Sequence, residues 1–405
     1  MYDLIVAGAG PAGCTLALSL AGSGLRIAVI DRDVFPRRKI CGDALSGKVL
    51  NILKRMPGEI YREFLSDIVK EPSYGIRFVA PNLRELDLPF PSRGEADAEP
   101  PGYVCPRSEF DHFLLRKAAL CPGVTIFENT KITGAVPLGD SVLVKTTQGD
   151  FRSRVIAGAD GIHSLVRKMA GIEPSARDHC LGIRSYFENV SGLHPSGFIE
   201  LIFLRELLPG YLWIFRGTSG ICNVGLGLLS SQVTKRRINL NSFLMDLLYK
   251  HPYLKSRFSG ARLLDKPEAH TLPLGSYSIK RSGNRFLLLG DAAYLVDPFS
   301  GEGIGNAMSS GECAAKVLRD CFQRGSFGET DLYAYDEQVE RRMGRELRIS
   351  SVLQKMATSP FLFNYVLGKA RKNEELRKML SGMYTNEELR KKLTKPGFYL
   401  KLLLI

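Results

Sequence analysis

Short apolar runs separated by a glycine-rich turn shape the first thirty residues of the chain. Tyr2–Ala7 (YDLIVA) precedes the turn GAGPAG at 8–13, and a second apolar run, Arg26–Ile30, ends at Asp31. Uninterrupted apolar runs of this length are typical of parallel strands that are buried on both faces. Between them, Pro11–Gly24 carries apolar residues at helical spacing. The pattern predicts a strand, a turn, a helix and a second strand, the unit that binds dinucleotides.

Two further glycine-rich turns follow strand-like runs later in the chain. Phe151–Ala157 leads into GADG at 158–161, and Arg285–Leu289 leads into GDAA at 290–293. The segment DPFSGEGIG that follows predicts a helix that begins near Gly303. One such turn binds many different nucleotides. Three at these positions suggest one long dinucleotide stretched across a sheet, and FAD fits best.

The middle of the chain alternates between strand-like runs and turn residues, which predicts an antiparallel sheet. Tyr211, Trp213 and Phe215 alternate along one run and therefore share a face. We expect this sheet to roof the cofactor and these aromatic side chains to line an apolar substrate pocket; core packing is the alternative explanation for each of them. Residues 75–103 are expected to join this sheet as a hairpin and a loop. The predicted strands are Gly182–Val190, Phe198–Leu204, Tyr211–Arg216 and Ile221–Leu228.

Each glycine of the first turn has its own predicted role. Gly8 permits the tight turn, Gly10 lets the backbone approach a pyrophosphate, and Gly13 lets helix and strand pack closely. The helix that follows offers free N–H groups and a positive end to the phosphates. Asp31 stands where a carboxylate accepts from ribose hydroxyls, and its charge disfavours the 2′-phosphate of NADP. A purely structural glycine turn is the alternative.

Composition narrows the class of partner and the compartment. The 405 residues exceed one ordinary domain and indicate two lobes. The net charge of +13 favours anionic lipid or a diphosphate over nucleic acid, since no nucleic-acid-binding module is visible, although many basic proteins have no anionic partner. The eight cysteines lack disulfide or metal-site spacing, so we expect reduced thiols and no metal. No transmembrane run or signal peptide is visible, which predicts a cytoplasmic protein.

Five segments carry a resemblance: GAGPAG at 8–13, RRKICGD at 37–43, CPRSEFDHFL at 105–114, GDAAYLVDPFSGEGIGNAM at 290–308 and GYLWIFRGTSGICNVGLG at 210–227. They resemble the geranylgeranyl reductase family, a group of FAD-dependent oxidoreductases built like aromatic hydroxylases. The resemblance covers about residues 1–325 and implies FAD, a loop around Lys39 and Cys41 near the flavin, and an arginine, Arg107, that contacts the cofactor. Two departures concern the substrate. Cys-Gly-Asp replaces the family's frequent Cys-Gly-Gly at 41–43, and Arg216 stands where proline is frequent.

The chemistry has more than one interpretation because a flavin passes hydride to an acceptor or activates oxygen. The resemblance favours a reductase that saturates C=C bonds of a geranylgeranyl or other prenyl lipid. The alternative is a monooxygenase or halogenase acting on an aromatic or polyketide-like molecule, although WIFR at 213–216 is not the WxWxIP motif of halogenases. A third interpretation is a lipid carrier that binds a flavin but has no enzymatic activity. NAD(P)H or a ferredoxin is the expected electron donor.

Alkene reduction also needs a proton donor beside the flavin. Cys41 is the predicted catalytic residue, and Lys39 is expected to lower the pKa of its thiol; an inert packed thiol is the alternative. Asp43 is expected to hold the loop by hydrogen bonds to its own backbone, and His163 is expected to be structural. The predicted cofactor-binding residues are Gly8, Gly10, Pro11, Ala12, Gly13, Asp31, Arg32, Lys39, Cys41, Gly42, Arg107, Asp160, Gly161, Gly290, Asp291, Pro298, Gly301, Gly303 and Ile304.

Together these patterns predict an α/β fold with a discontinuous, Rossmann-like FAD-binding domain of the glutathione-reductase type. An antiparallel-sheet substrate domain is inserted in it, and a helical, basic region ends the chain. The tail repeats Asn373–Leu380 as Asn386–Leu393, which predicts two short helices, and its basic and apolar end favours either peripheral contact with the inner membrane surface or packing on the core. The predicted boundaries are 1–74, 104–178 and 270–325 for the FAD domain, 75–103 and 179–269 for the substrate domain, and 326–405 for the C-terminal region.

Overall fold

The computed structural model describes residues 1–90, 99–173 and 179–385 of the chain. Its strands are β1 (Tyr2–Ala7), β2 (Ile27–Ile30), β3 (Ala44–Leu45), β4 (Glu71–Ser73), β5 (Gly75–Val79), β6 (Glu85–Pro89), β7 (Gly102–Val104), β8 (Val124–Phe127), β9 (Ile132–Leu138), β10 (Ser141–Thr146), β11 (Gly149–Gly158), β12 (His179–Glu188), β13 (Ile199–Ile202), β14 (Tyr211–Arg216), β15 (Cys222–Leu229), β16 (Arg262–Leu263), β17 (Glu268–Pro273), β18 (Ser282–Gly283) and β19 (Phe286–Leu288). Its α-helices are α1 (Pro11–Ser19), α2 (Gly47–Arg55), α3 (Ile60–Asp67), α4 (Arg107–Ala119), α5 (Leu165–Met169), α6 (Ser230–Arg236), α7 (Leu240–Lys250), α8 (Lys255–Phe258), α9 (Ile304–Arg324), α10 (Glu329–Val339), α11 (Arg345–Met356), α12 (Pro360–Lys372) and α13 (Glu374–Thr385).

The first lobe is built on a sheet in which β1 lies between β2 and β11. β1 pairs in parallel with both neighbours, β2 pairs in parallel with β8, and β11 pairs in parallel with β19. Leu4, Ile5 and Val6 of β1 are completely buried, as the uninterrupted apolar run predicts. Because parallel strands end at the same edge of a sheet, the three glycine-rich turns after β1, β11 and β19 converge there.

Helix α1 is shorter than the sequence pattern predicts. It ends at Ser19 rather than near Gly24. Gly22 and Gly24 both adopt a φ of 75°, which takes the backbone out of the right-handed helical region. The chain can therefore turn back into β2 within a few residues.

The second lobe is a mostly antiparallel sheet with the order β16-β12-β15-β14-β13-β5-β6, and β17 also pairs with β12. The four predicted strands are present: β14 has the predicted bounds, and the ends of β12, β13 and β15 are shifted. The predicted hairpin in 75–103 is β5–β6, whose first strand runs parallel to β13. β7 instead joins β3 and β4 in a separate three-stranded sheet.

Helices from the C-terminal part of the chain pack against both lobes. The Lys48 Nζ of α2 donates to Glu346 of α11 at 3.1 Å, and the Phe363 ring of α12 lies 4.5 Å from that of Phe203. Asn373 accepts from the Leu376 N–H at 3.0 Å, so the first copy of the tail repeat begins a helix as predicted. The second copy and the basic, apolar end lie outside the described residues. Within the described residues, no helix combines the length and apolarity needed to cross a bilayer.

Candidate active site

A cavity of about 640 Å³ lies where the two sheets face each other. Part of its wall is the edge of the first sheet where the glycine-rich turns converge, and another part is formed by β13 and β14 of the second sheet. Of the residues predicted to bind cofactor or substrate, only Gly13 and Pro298 do not line it. A Cβ on Gly13 would lie 2.0 Å from the Gly8 carbonyl oxygen, so Gly13 serves the close packing of the turn.

The carboxylate of Asp31 anchors the first turn from the end of β2. Its Oδ2 accepts from the Ala9 N–H at 2.7 Å, and its Oδ1 accepts from the Asp33 N–H at 3.0 Å. Asp31 is buried and lines the cavity. A carboxylate oxygen has lone pairs beyond these bonds, so Asp31 can also accept from a ribose hydroxyl.

Arginines surround the nucleotide part of the cavity. Arg107 forms a bidentate pair with the fully buried Asp111 at 2.7 and 2.6 Å, and the Arg37 Nη2 lies 3.2 Å from the same carboxylate. One buried carboxylate between two guanidinium groups leaves net positive charge beside the first turn. That charge suits a pyrophosphate. The basic residues that line this part of the cavity are Arg32, Arg37, Arg38, Lys39, Arg107 and Lys131.

Lys39 and His270 form a polar pair beside the third turn. The Lys39 Nζ lies 2.9 Å from the His270 Nε2 and 4.0 Å from the Asp291 Oδ2. Burial lowers the pKa of His270 to about 4, and the Lys39 charge acts in the same direction. His270 is therefore neutral at physiological pH and accepts from the Lys39 ammonium. Lys39 thus bridges the 37–43 loop, β17 and the third turn.

The third turn and α9 bring backbone N–H groups to the cavity. Gly303 and Ile304 line it at the N-terminus of α9, the end that carries positive partial charge. Asp297 shapes the loop before the helix, because its Oδ1 accepts from the backbone N–H groups of Phe299 and Ser300 at 3.0 and 2.7 Å. Negative charge in this part of the cavity would be stabilised.

Asp160 of the second turn caps a helix. Its Oδ2 accepts from the Leu165 N–H of α5 at 2.7 Å, whereas its buried Oδ1 has no partner within the described residues. Gly161 adopts a φ of 78° beside it. His163, expected to be structural, is exposed and lines the cavity.

The aromatic residues of β14 contact the loops of the first lobe at glycines. A Cβ on Gly42 would lie 2.9 Å from the Phe215 ring and 3.5 Å from the Trp213 Nε1, and one on Gly301 would lie 2.9 Å from the Tyr211 hydroxyl. Tyr211 also donates to the Ser300 carbonyl at 2.6 Å. The three aromatic side chains on this face of β14 therefore cover the flavin-side loops and line the cavity.

Cys41 lines the cavity, but its environment differs from the prediction. Burial raises the pKa of the Cys41 thiol, the Arg107 charge opposes this rise, and the Asp43 charge adds to it. The expected net lowering of this pKa beside Lys39 is wrong, because the desolvation of the thiol outweighs the neighbouring positive charges. Cys41 is a neutral thiol at physiological pH.

Asp43 also differs from the prediction, because its side chain does not bond to its own loop. Its Oδ2 accepts from the Tyr186 hydroxyl at 2.6 Å and from the Asn223 Nδ2 at 2.8 Å, both in the second lobe. Its backbone has a φ of 65°, and its N–H donates to the Cys41 Sγ at 3.4 Å. Asp43 therefore links the flavin-side loop to the substrate sheet.

Sequence reasoning missed Asn223, the centre of this link. Its Nδ2 donates to the Cys41 carbonyl at 2.7 Å as well as to Asp43, and its Oδ1 accepts from the Trp213 indole N–H at 2.9 Å. The buried amide of Asn223 thus fixes the position of the Cys41 loop relative to the cavity wall formed by β14. Asn223 stands among apolar residues in the run that forms β15. A single polar residue within a buried strand is the sequence signal that could have identified it.

The cavity fits FAD on three observations. A Cβ on Gly161 would meet nothing within 4 Å, and one on Gly10 would meet only Arg37 at 3.5 Å, so both glycines leave bare backbone facing open space. The buried Oδ1 of Asp160 lacks a partner that a hydroxyl group would supply. Positive charge surrounds the nucleotide part, and apolar and aromatic side chains line the part beneath β14.

Comparison with known proteins gives the same cofactor. The FAD binding domain family matches residues 1–191. The digeranylgeranylglycerophospholipid reductase of Thermoplasma acidophilum is 28% identical over 363 residues, which cover 85% of this chain and 85% of that protein. The reductase 1 of the same name from Methanococcoides burtonii is 27% identical over 360 residues, 85% of this chain and 81% of its own.

Solved structures share the fold. A geranylgeranyl bacteriochlorophyll reductase-like protein from Thermoplasma acidophilum superposes with a TM-score of 0.81 at 22% identity, covering 97% of this chain and 98% of its own. The halogenase PltM superposes with a TM-score of 0.75 at 18% identity, covering 100% of this chain and 90% of its own. The predicted fold class, the FAD cofactor and the resemblance to the geranylgeranyl reductase family are confirmed.

Proposed function

Because the chain is an FAD-dependent oxidoreductase similar to the geranylgeranyl reductases, we propose that it reduces carbon–carbon double bonds of a geranylgeranyl or other prenyl lipid. The names of the curated relatives above support this class of substrate. In this proposal one lobe binds the cofactor and the other binds the substrate. Residues 1–74, 104–178 and 270–325 are proposed to belong to the FAD domain, 75–103 and 179–269 to the substrate domain, and 326–405 to a C-terminal region.

The observation that carries the proposal is the continuity of the cavity. The part lined by the cofactor loops opens directly onto a wall of Tyr211, Trp213 and Phe215 from β14 and Ile199 and Leu201 from β13. An apolar wall beside the flavin loops suits a hydrocarbon chain, because burying apolar surface of the substrate drives its binding.

In this proposal the predicted cofactor residues that line the cavity hold FAD along the converging turns. Gly8, Gly10 and the start of α1 receive the pyrophosphate, and Asp31 receives the ribose. Bound FAD supplies hydride from its reduced form. The N-terminus of α9 and the Lys39 ammonium would stabilise negative charge on the bound flavin.

Cys41 is the proposed proton donor to the second alkene carbon. Its thiol lines the cavity, and the burial that raises its pKa keeps the proton on sulfur at physiological pH. The Asp43 N–H and the hydrogen bond from Asn223 to the Cys41 carbonyl fix the loop that carries it. The electron donor in the cell is NAD(P)H or a ferredoxin, and dithionite replaces both in the test.

The experiment is anaerobic incubation of the FAD-loaded protein with dithionite and a geranylgeranylated glycerophospholipid, followed by mass spectrometry of the lipid. We expect the lipid to gain two hydrogens for each double bond reduced. Cys41→Ala, which removes only the thiol group, should retain FAD and lose most of the product. Unchanged lipid with wild-type protein would contradict the proposal, and oxygen-dependent hydroxylation or halogenation of an aromatic compound would favour the alternative.

A further inference from the structure

The reach of Asp43 into the second lobe is not explained by cofactor binding. Asp43 lines the cavity and is 1% exposed. Its Oδ2 receives hydrogen bonds from Tyr186 and Asn223, but its Oδ1 is buried without a hydrogen-bond partner in the described part of the chain. Buried carboxylate oxygens are normally satisfied, so an unpartnered one at a cavity is open to a ligand, a water molecule or a proton of its own. A neutral carboxyl would carry its proton on Oδ1 and donate it.

The surroundings of Asp43 favour this neutral form. Burial raises the pKa of the Asp43 carboxyl, even though hydrogen bonds from Tyr186 and Asn223 and the charges of Arg184 and Arg107 act in the opposite direction. Each arginine also pairs with another carboxylate, which reduces the effect of its charge on Asp43. Arg184 pairs with Asp265 at 2.8 Å, and Arg107 pairs with Asp111. The titratable and charged groups that act on or around Asp43 are Cys41, Cys105, Arg107, Arg184 and Tyr186.

Tyr186 connects this carboxyl to the outside of the cavity. Its hydroxyl donates to the Asp43 Oδ2 at 2.6 Å, its ring stacks 4.3 Å from the Arg184 guanidinium, and it is only partly buried. Tyr186 does not line the cavity, whereas Asp43 and Cys41 do. The Asp43 Oδ1 forms no direct hydrogen bond with the Cys41 thiol, but both residues line the cavity, so a proton that passes from Tyr186 to Asp43 reaches Cys41 across the cavity, through water.

We propose that Tyr186 and Asp43 form a proton relay that reloads the Cys41 thiol after each reduction. The inference rests on the proposed function. The alkene π bond breaks, one carbon gains the hydride with its two electrons from reduced FAD, and the other gains the Cys41 proton. The thiolate then takes the Asp43 proton, and the carboxylate regains one through the Tyr186 hydroxyl from solvent.

The test compares Asp43→Asn, Tyr186→Phe and wild type by two measurements. Infrared spectra of the FAD-bound protein without substrate should contain the band of a buried protonated carboxyl in wild type and in Tyr186→Phe, and Asp43→Asn should lose it. In rapid-mixing experiments with reduced protein, excess prenyl lipid and excess dithionite to reduce the flavin again after each turnover, both variants should complete a first turnover at the wild-type rate. Later turnovers should slow by at least about 10-fold, within the range that positioned acids and bases contribute.

Asp140→Asn is the matched control, because it removes an exposed carboxylate whose side chain is 80% accessible on the β9–β10 hairpin. It should keep both the carboxyl band and the steady-state rate. Absence of the band in wild type, or later turnovers in Asp43→Asn as fast as in wild type, would overturn the relay. Wild-type protein that forms no reduced lipid would instead contradict the proposed function itself.

Discussion

At the scale of single residues, burial dominates the titration of the groups around the cavity. Desolvation raises the pKa of the Cys41 thiol and of the Asp43 carboxyl and lowers that of the Lys39 ammonium, although charged neighbours surround all three. A sequence shows which charges lie near in the chain but not how much water is excluded from them. That is why the expected net lowering of the Cys41 pKa was wrong.

His270 should make stability depend on pH. Its pKa is about 4 in the folded chain and about 6.5 in an unfolded one, so the unfolded state binds the proton first as pH falls. The stabilisation that neutral His270 provides is complete above about pH 6.5 and is lost towards pH 4. Chemical denaturation across this range should show a shallower fall for His270→Gln than for wild type. Parallel curves would contradict the assignment.

Asp31→Asn should weaken FAD binding while the fold is kept. The change replaces a charged acceptor of the 2.7 Å bond from Ala9, and hydrogen bonds to charged groups contribute about 1.5–3 kcal/mol. The dissociation constant for FAD should rise about 10- to 100-fold, as measured by quenching of flavin fluorescence. Asp140→Asn should bind FAD like wild type, and an unchanged constant in Asp31→Asn would remove Asp31 from the proposed site.

At the scale of elements, the packing of α1 on α9 fixes the geometry of the first turn. Gly311 of α9 lies against the start of α1, where an added Cβ would sit 2.7 Å from the Ala12 carbonyl oxygen and 3.0 Å from the Leu16 nitrogen. The two helices that open towards the cavity therefore approach each other closely because one of them has glycine at the crossing.

A pair of glycine substitutions tests this crossing. Gly311→Ala should lower the free energy of unfolding by about 1–3 kcal/mol through overpacking and should also weaken FAD binding. In Gly368→Ala, the added Cβ on α12 meets nothing within 4 Å. This variant should raise the free energy of unfolding by about 0.5–1 kcal/mol, because glycine is unfavourable in the interior of a helix. Chemical denaturation of both variants gives the comparison. Equal changes in the free energy of unfolding would mean that an added methyl group fits between α1 and α9 and would contradict this explanation.

The elements also show what the sequence could predict. The GAGPAG turn, β14 with its alternating aromatic residues, and α9 after the third turn depend on local patterns, and the sequence predicted each of them. The link from Asp43 to Tyr186 and Asn223 joins residues 143 and 180 positions apart. No local pattern encodes such a contact, because it depends on how the second sheet is placed over the first lobe.

At the scale of the whole molecule, two sheets enclose one cavity and the chain carries a net charge of +13. A prenyl lipid substrate resides in a membrane, so a basic surface would bring the protein to it. The described residues contain no helix that could span a bilayer. The contact that we propose is electrostatic and lies at the membrane surface.

Vesicle sedimentation tests the surface contact. We expect stronger binding to vesicles that contain phosphatidylglycerol than to purely neutral ones, and weaker binding as salt screens the charges. A variant that lacks residues 396–405 should bind less if the sequence-predicted tail contributes. Equal binding to neutral and anionic vesicles at low salt would contradict an electrostatic contact.

The most direct measurement of the central claim is the absorbance of the bound flavin in a sealed, oxygen-free cell. The FAD-loaded protein is reduced with a single equivalent of dithionite and then mixed with a geranylgeranylated lipid. The account predicts that the oxidised flavin spectrum returns at the rate at which double bonds disappear, while a fully saturated lipid leaves the flavin reduced. A flavin that stays reduced with every unsaturated lipid and reoxidises only when oxygen is admitted would contradict it.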